Sequence, residues 1–361
     1  MDKLRVGLLF GGRSVEHEVS VASAASILQA LDPSRYEVRL LCVDHEGRWH
    51  LGAAGALPET AIDGDEVRLP AVPGERALTA ADGGAPVAAL DVVIPMIHGT
   101  GGEDGCVQGL LELAGVPYVG SGVLGSALQM DKEVSKRLLA AAGLPVVPGI
   151  AITRHDFERD PAGIEERAVR ELGLPLFVKP ACLGSSVGIS KVKTRAEFGP
   201  AVTLAARYDQ KILIEQAIDG REIEVAVLGL HEPEASVPGE IVPKHEFYDY
   251  EAKYADDETE LLIPAPLDEA QSETIRALAV DAYRCLEGRG LGRVDFFLDR
   301  GDGRFYVSEV NSLPGFTEMS MFPRLWQATG LSYAALLDRL IEHALEAHRE
   351  GESRVTLYQA P

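Results

Sequence analysis

RVDFFLDRGDGRFYVSEVN, residues 293 to 311, consists of two strand-like runs, 293 to 299 and 305 to 311, joined by a turn that contains Gly301, Asp302 and Gly303. Such a pattern signals a β-hairpin. If the hairpin is symmetric about Asp302, Arg293 lies opposite Asn311 and Asp295 opposite Glu309, and the period-two alternation of a strand puts all four side chains on one face. Two carboxylates and an amide oxygen then converge. Hard oxygen donors of this kind suit Mg²⁺, which keeps several waters and is typically held by one or two carboxylates together with substrate phosphates. The competing reading is the polar side of a half-exposed sheet, with Arg293 as a cross-strand ion-pair partner. A glycine bulge in the turn would break the assumed register. The continuation Ser312 to Thr317 contains Pro314-Gly315, a turn whose Gly315 amide is available to the same site.

Upstream, Lys179 ends a strand-like run, and Gly184-Ser185-Ser186-Val187-Gly188 follows five residues later. Successive amides in a tight glycine loop form an anion-sized concavity, and lysine adds a point charge beside it. The loop fits neither GxxxxGK[ST] nor GxGxxG, so it is not a Walker loop or a dinucleotide fingerprint. The same residues fit GxSxG, the nucleophile elbow of α/β-hydrolases, with Ser186 as nucleophile and His231, His245 or His343 as bases. An elbow needs a helix directly after the serine, whereas residues 187 to 192 read as strand.

The remainder of the chain frames these elements. At 361 residues it exceeds what one hydrophobic core serves, which predicts two or three domains of about 100 to 150 residues each. Leu4 to Phe10 reads as a strand, Gly11-Gly12 as a turn and Ser14 to Leu31 as a helix; Val38 to Val43 and Val92 to Ile97 are further strands, so residues 1–126 read as a parallel α/β domain. Residues 51 to 89 lack sustained periodicity and read as an insertion. Met130 to Ala142 reads as a helix ended by Gly143 and Pro145. With Leu176 to Lys179, Ile189 to Val192 and Ile212 to Glu215 as strands, residues 127–222 read as α+β. A third portion, 223–361, carries the hairpin and a long polar-aromatic stretch, 244–262, of the kind that forms lids.

Four separated cysteines form no CxxC, which fits a reducing cytoplasm. A net charge of -22 argues against nucleic-acid partners, and no apolar run reaches the roughly 20 residues that span a bilayer.

Taken together, Glu16-His17-Glu18-Val19-Ser20, His98-Gly99, Gly102 to Gly105, Met130-Asp131-Lys132, Val178-Lys179-Pro180, Gly184 to Gly188, Phe247 to Tyr254, Arg293-Val294-Asp295 and Glu309-Val310-Asn311 resemble the D-alanine:D-alanine ligases, a family of ATP-grasp enzymes. The likeness runs almost the whole chain. It implies an N-terminal α/β domain followed by two α+β portions that clasp ATP. By the same resemblance, Lys132, Lys179 and Ser186 contact ATP phosphates, Glu215, Gln216, Ala217 and Ile218 line the adenine, Glu222 takes the ribose, and Lys253 approaches the transferring phosphate. Asp295, Glu309 and Asn311 hold two Mg²⁺ ions, with Mn²⁺ able to substitute. Glu16 takes the ammonium of the first D-alanine, with His98 close by, and Ser185 and Tyr254 hydrogen-bond toward Glu16. Ser320, Met321, the Gly315 amide and Arg293 position the second D-alanine and the oxyanion.

A cytoplasmic homodimer that makes D-alanyl-D-alanine for peptidoglycan is the implied whole. Within the superfamily, a D-alanyl-D-lactate ligase is the nearest alternative, and Tyr254 favours the dipeptide. Cys182 departs from the family pattern, which more often has a polar residue there, and residues 51 to 89 match it poorly.

Overall fold

The computed structural model describes residues 3–53, 55–242 and 260–353. Three sheets organise them. The first contains β1 (Leu4–Gly11), β2 (Tyr36–Val43), β3 (Trp49–Leu51), β4 (Asp65–Arg68), β5 (Ala77–Ala80), β6 (Pro86–Ala89) and β7 (Val92–Pro95), in the order β6-β5-β4-β3-β2-β1-β7. Only β2, β1 and β7 are parallel; they are apolar nearly throughout, as strands covered on both faces must be.

Residues 51 to 89 therefore do more than interrupt the domain. They extend the sheet antiparallel through β4, β5 and β6, and Val67 and Leu78 join Leu41 and Val93 in one buried cluster. The helix after β1 runs His17–Ala30, three residues shorter at its start than the sequence suggests.

The second sheet contains β8 (Gly149–Thr153), β9 (Leu176–Pro180), β10 (Ser190–Val192) and β11 (Lys211–Gln216), ordered β10-β9-β11-β8 and antiparallel. The helix expected over 130 to 142 is Lys132–Ala141, and a further helix, Val123–Met130, precedes it. Asp131 separates them: its backbone is extended, and its carboxylate accepts from the amides of Glu133 and Val134 as an N-cap. Lys132 thereby becomes the first residue of a new helix.

The third sheet contains β12 (Gly220–Gly229), β13 (Glu234–Ala235), β14 (Gly239–Val242), β15 (Glu260–Leu262), β16 (Gly290–Asp299) and β17 (Phe305–Asn311), ordered β15-β14-β12-β16-β17 with β13 on β12. β12 starts at Gly220, so the expected boundary at 222/223 falls inside a strand, and the one at 126/127 falls inside the helix Val123–Met130. One face of this sheet packs Ile223, Val225, Val294, Phe296 and Val307 against the helix Glu269–Cys285. Each such side chain contributes roughly 1.5–3 kcal/mol by leaving water. The opposite face carries charge. Among the described residues no helix is long and apolar enough to cross a membrane.

Candidate active site

The hairpin register is as the alternation predicts where it matters: Arg293 pairs with Asn311, and Asp295 with Glu309. Symmetry does not persist to the turn. Pairing slips between Asp295 and Phe296, so that Phe296 faces Val307 and Ser308 is the extra residue of a β-bulge. The slip has a packing cause. Without it Tyr306 and Ser308 would lie on the core face, and Phe305 and Val307 on the polar one. With it, Phe305, Val307 and Val310 are all buried while Glu309 and Asn311 stay beside Asp295 and Arg293.

Charge on this face is heavily compensated. The Arg293 guanidinium donates to both Asp295 oxygens at 2.7 Å and lies 3.0 Å from Glu224, which β12 presents opposite Asp295. Burial opposes the Arg293 charge, yet Asp295 and Glu224 overcome it and hold the guanidinium even more firmly protonated than usual. Asn311 Nδ2 donates to Asp295 at 2.9 Å. Lys132 Nζ lies 3.0 Å from Glu309 and donates to the Leu183 carbonyl at 2.9 Å, which ties the second sheet's loop to the hairpin. Burial lowers the Lys132 pKa, but Glu309, with the charges of Glu103 and Glu215, together more than offset it. Two carboxylates and an amide on adjacent strands form a hard-oxygen donor set that fits a divalent cation such as Mg²⁺.

A second ion cluster lies beneath. Glu215 is 3% exposed and sits between Lys136, at 2.5 Å, and Lys179. Its carboxylate remains ionised against a burial penalty because both ammonium groups hold its pKa below the usual range, while burial lowers Lys136 despite Glu215. Glu215 was expected along the adenine; its side chain is instead committed to two lysines, and what it can offer a base is backbone. Gln216 and Ala217 donate their amides to Pro148 and Pro175, and Ile218 lies in the connection to β12. Glu222 is half-buried on the same face of β12 as Glu224.

The glycine-serine loop is a turn followed by β10 and not by a helix, so the hydrolase elbow is absent. Ser185 and Ser186 both adopt left-handed backbone, φ 52° and 57°, which non-glycine residues rarely do and which turns successive amides to one side. Ser185 Oγ donates to Glu16, and a Cβ on Gly184 would stand 3.1 Å from the second Glu16 oxygen. Glu16 is 7% exposed. Buried His98 holds the Leu313 carbonyl at 3.1 Å through Nδ1 and faces Ser23 at 3.3 Å through Nε2, and burial lowers its pKa. Burial, then the charge of Glu16, pushes the neighbouring Glu103 carboxyl up to about 8, while its oxygen accepts from the Gly99 amide at 2.6 Å.

Past the hairpin, Ser320 Oγ accepts from the Thr317 amide at 3.1 Å, and a Cβ on Gly315 would approach it to 3.2 Å. The Met321 side chain is buried in the core with Phe322 and Leu325, which leaves its backbone, at the start of the helix Met321–Thr329, for the expected substrate contact. Lys253, Tyr254 and residues 244 to 259 of the expected lid lie outside the described residues. Residues 260 to 262 are β15.

Three charged residues of this site carry no role in the sequence reading. Glu224 stands two residues after Glu222, so the alternation used for the hairpin would have found it. Lys136 stands one helical turn after Lys132. Glu103 had no signal beyond its place in the Gly102 to Gly105 stretch.

Comparison with known proteins gives the same direction. The family description "D-ala D-ala ligase N-terminus" matches residues 5–121, and "D-ala D-ala ligase C-terminus" matches 138–342. The chain is 48% identical over 360 residues to the D-alanine--D-alanine ligase of Geobacillus thermodenitrificans, covering 97% of this chain and 98% of that one. It is 50% identical over 364 residues to D-alanine--D-alanine ligase A of Chromobacterium violaceum, with 98% of each chain covered. The solved D-alanine-D-alanine ligase of Coxiella burnetii superposes with a TM-score of 0.85 at 37% identity, covering 98% of this chain and 97% of that chain.

Proposed function

The chain belongs to the D-alanine--D-alanine ligase family, and from that premise we propose that the face bearing Arg293, Asp295, Glu309 and Asn311 is where ATP drives the joining of two D-alanines. The observation that carries the reading is the meeting of three elements: the hairpin carboxylates, the Lys132 helix that reaches Glu309, and the serine loop that reaches Glu16.

Ligation at neutral pH requires the first carboxylate to be activated, because a carboxylate does not acylate an amine in water. Its oxygen attacks the γ-phosphate of ATP, ADP leaves, and an acyl phosphate forms; the second D-alanine's amine then displaces phosphate. Asp295, Glu309 and Asn311 would hold the divalent metal, taken as two Mg²⁺ ions with Mn²⁺ able to replace them. Held there, it would supply positive charge beside the phosphate oxygens.

Lys132 and Lys179 neutralise phosphates, Lys179 being oriented by Glu215, and the left-handed amides of Ser185 and Ser186 cover them. Residues 215 to 218 flank the adenine through backbone groups and Glu222 takes the ribose. Glu16 receives the first ammonium beside His98, with Ser185 and Tyr254 fixing its carboxylate, and Lys253 approaches the transferring phosphate. Arg293, the Gly315 amide, Ser320 and the Met321 backbone receive the second carboxylate and the tetrahedral oxyanion, preorganised charge being the largest catalytic contribution in such reactions.

The chain divides into an N-terminal portion and two ATP-clasping portions whose junction we shift from 222/223 to the connection between β11 and β12. It works as a homodimer. A direct test is phosphate release from ATP with D-alanine and Mg²⁺, together with product analysis when D-lactate competes. D-alanyl-D-alanine is expected; absence of D-alanine-dependent phosphate release would refute the assignment.

A further inference from the structure

Outside this site, the side chains of His17, Glu18 and His45 offer ligand atoms that all lie within 4.8 Å of one another. We propose that these three residues form a binding site for a late first-row transition-metal dication, with zinc the best match. His17 is the pre-set ligand. It is 5% exposed, and its Nδ1 lies 2.7 Å from the Gly12 carbonyl, which can only accept; Nδ1 therefore carries the proton, and Nε2 keeps the lone pair. Donation of the far ring nitrogen to a carbonyl is how metal-bound histidines are oriented.

The His45 ring stacks on the His17 ring, centroids 4.0 Å apart at 29°. Room for the His17 ring comes from Gly11, where a Cβ would stand 3.1 Å from its Cε1 and 2.3 Å from the Val43 carbonyl. The loop that carries His45 is equally fixed. The Asp44 carboxylate accepts from the Glu46 amide at 2.9 Å and the Arg48 amide at 2.8 Å, and its other oxygen meets His50 at 3.0 Å.

Exposed Glu18 adds an anionic oxygen and leaves the fourth position to water. The positive end of the helix His17–Ala30 and exposed Arg13 oppose a cation here. Two imidazoles and a carboxylate outweigh them for zinc, nickel or copper, and do not for magnesium, which prefers oxygen.

The test is a zinc titration of the whole chain against a chromophoric chelator, in excess magnesium so that the hairpin carboxylates are engaged. Uptake of one zinc per chain is expected, with His45→Ala weakening it by at least roughly 10–100-fold, the size of effect that lesser, outer-shell losses produce. Glu18→Gln should weaken it less, and Asp295→Asn not at all. Because His45 is exposed on a loop, His45→Ala should keep wild-type magnesium-dependent turnover, which certifies its fold. No zinc uptake by the wild type, uptake unchanged in His45→Ala, or uptake lost in Asp295→Asn would each overturn the proposal.

Discussion

The β16–β17 hairpin and the β3–β6 extension are both antiparallel additions to a sheet, yet they put their polar residues to opposite uses. In the hairpin, ten- and seven-residue strands leave a whole face for Arg293, Asp295, Glu309 and Asn311 while the other face fills a core. In the extension, strands of three or four residues each bury at most one side chain, and the pair at its base, Asp44 with His50, joins a loop to a strand. Length decides the difference: a strand must outlast its own packing needs before it can present several groups to a ligand.

The sharpest way to break this contrast is Asp295→Asn. It removes one proposed metal carboxylate and the anchor of Arg293, and the ligation rate should fall about 10²–10³-fold, the size of losing a preorganised electrostatic partner, with circular dichroism unchanged. Near-normal turnover would return Asp295 to the polar side of an ordinary sheet. Glu224→Gln should cost less, about tenfold in kcat/KM for the second D-alanine, because Arg293 keeps Asp295 while losing one of its two carboxylates. An effect confined to ATP affinity would show that Glu224 acts elsewhere.

Leu78→Ala, in the extension, should lower the unfolding free energy by about 2–5 kcal/mol in chemical denaturation while leaving turnover per folded molecule intact. Lost turnover at full folding would give the extension a catalytic part. The smallest effect belongs to His50. Burial lowers its pKa, but Asp44 and the Gly64 carbonyl raise it further, so the net shift is upward. A group whose folded pKa exceeds the unfolded value of about 6.5 stabilises fully below that value and loses its contribution as pH rises through the folded pKa. His50→Gln should thus cost about 1 kcal/mol below the unfolded value and progressively less as pH rises through the raised folded one, read from denaturant midpoints. A penalty that grows with pH would reverse the assignment.

The same contrast explains what could be read from the sequence. Alternation over seven or more residues located Asp295 opposite Glu309, and the bulge at Ser308 escaped only because a symmetric turn looks the same without it. Three-residue strands such as β3 carry no measurable period, so residues 51 to 89 read as an insertion although they complete a sheet. The start of the helix at Lys132, two residues later than expected, shows only in the cap geometry of Asp131. Contacts across the chain, Ser185 with Glu16 or Lys132 with Glu309, have no local signal; family resemblance suggested the first, and nothing local suggested the second. Glu215 was expected along the adenine, and nothing local signalled that its carboxylate meets Lys136 and Lys179.

The central claim is that the polar face of the hairpin holds the metal that carries ATP. Electron paramagnetic resonance of Mn²⁺, titrated into the protein with a non-hydrolysable ATP analogue, reads that directly by comparing wild type with the Asp295→Asn/Glu309→Gln double variant. The wild type should bind nucleotide-dependent Mn²⁺ and the double variant should not; equal binding by both would contradict the account.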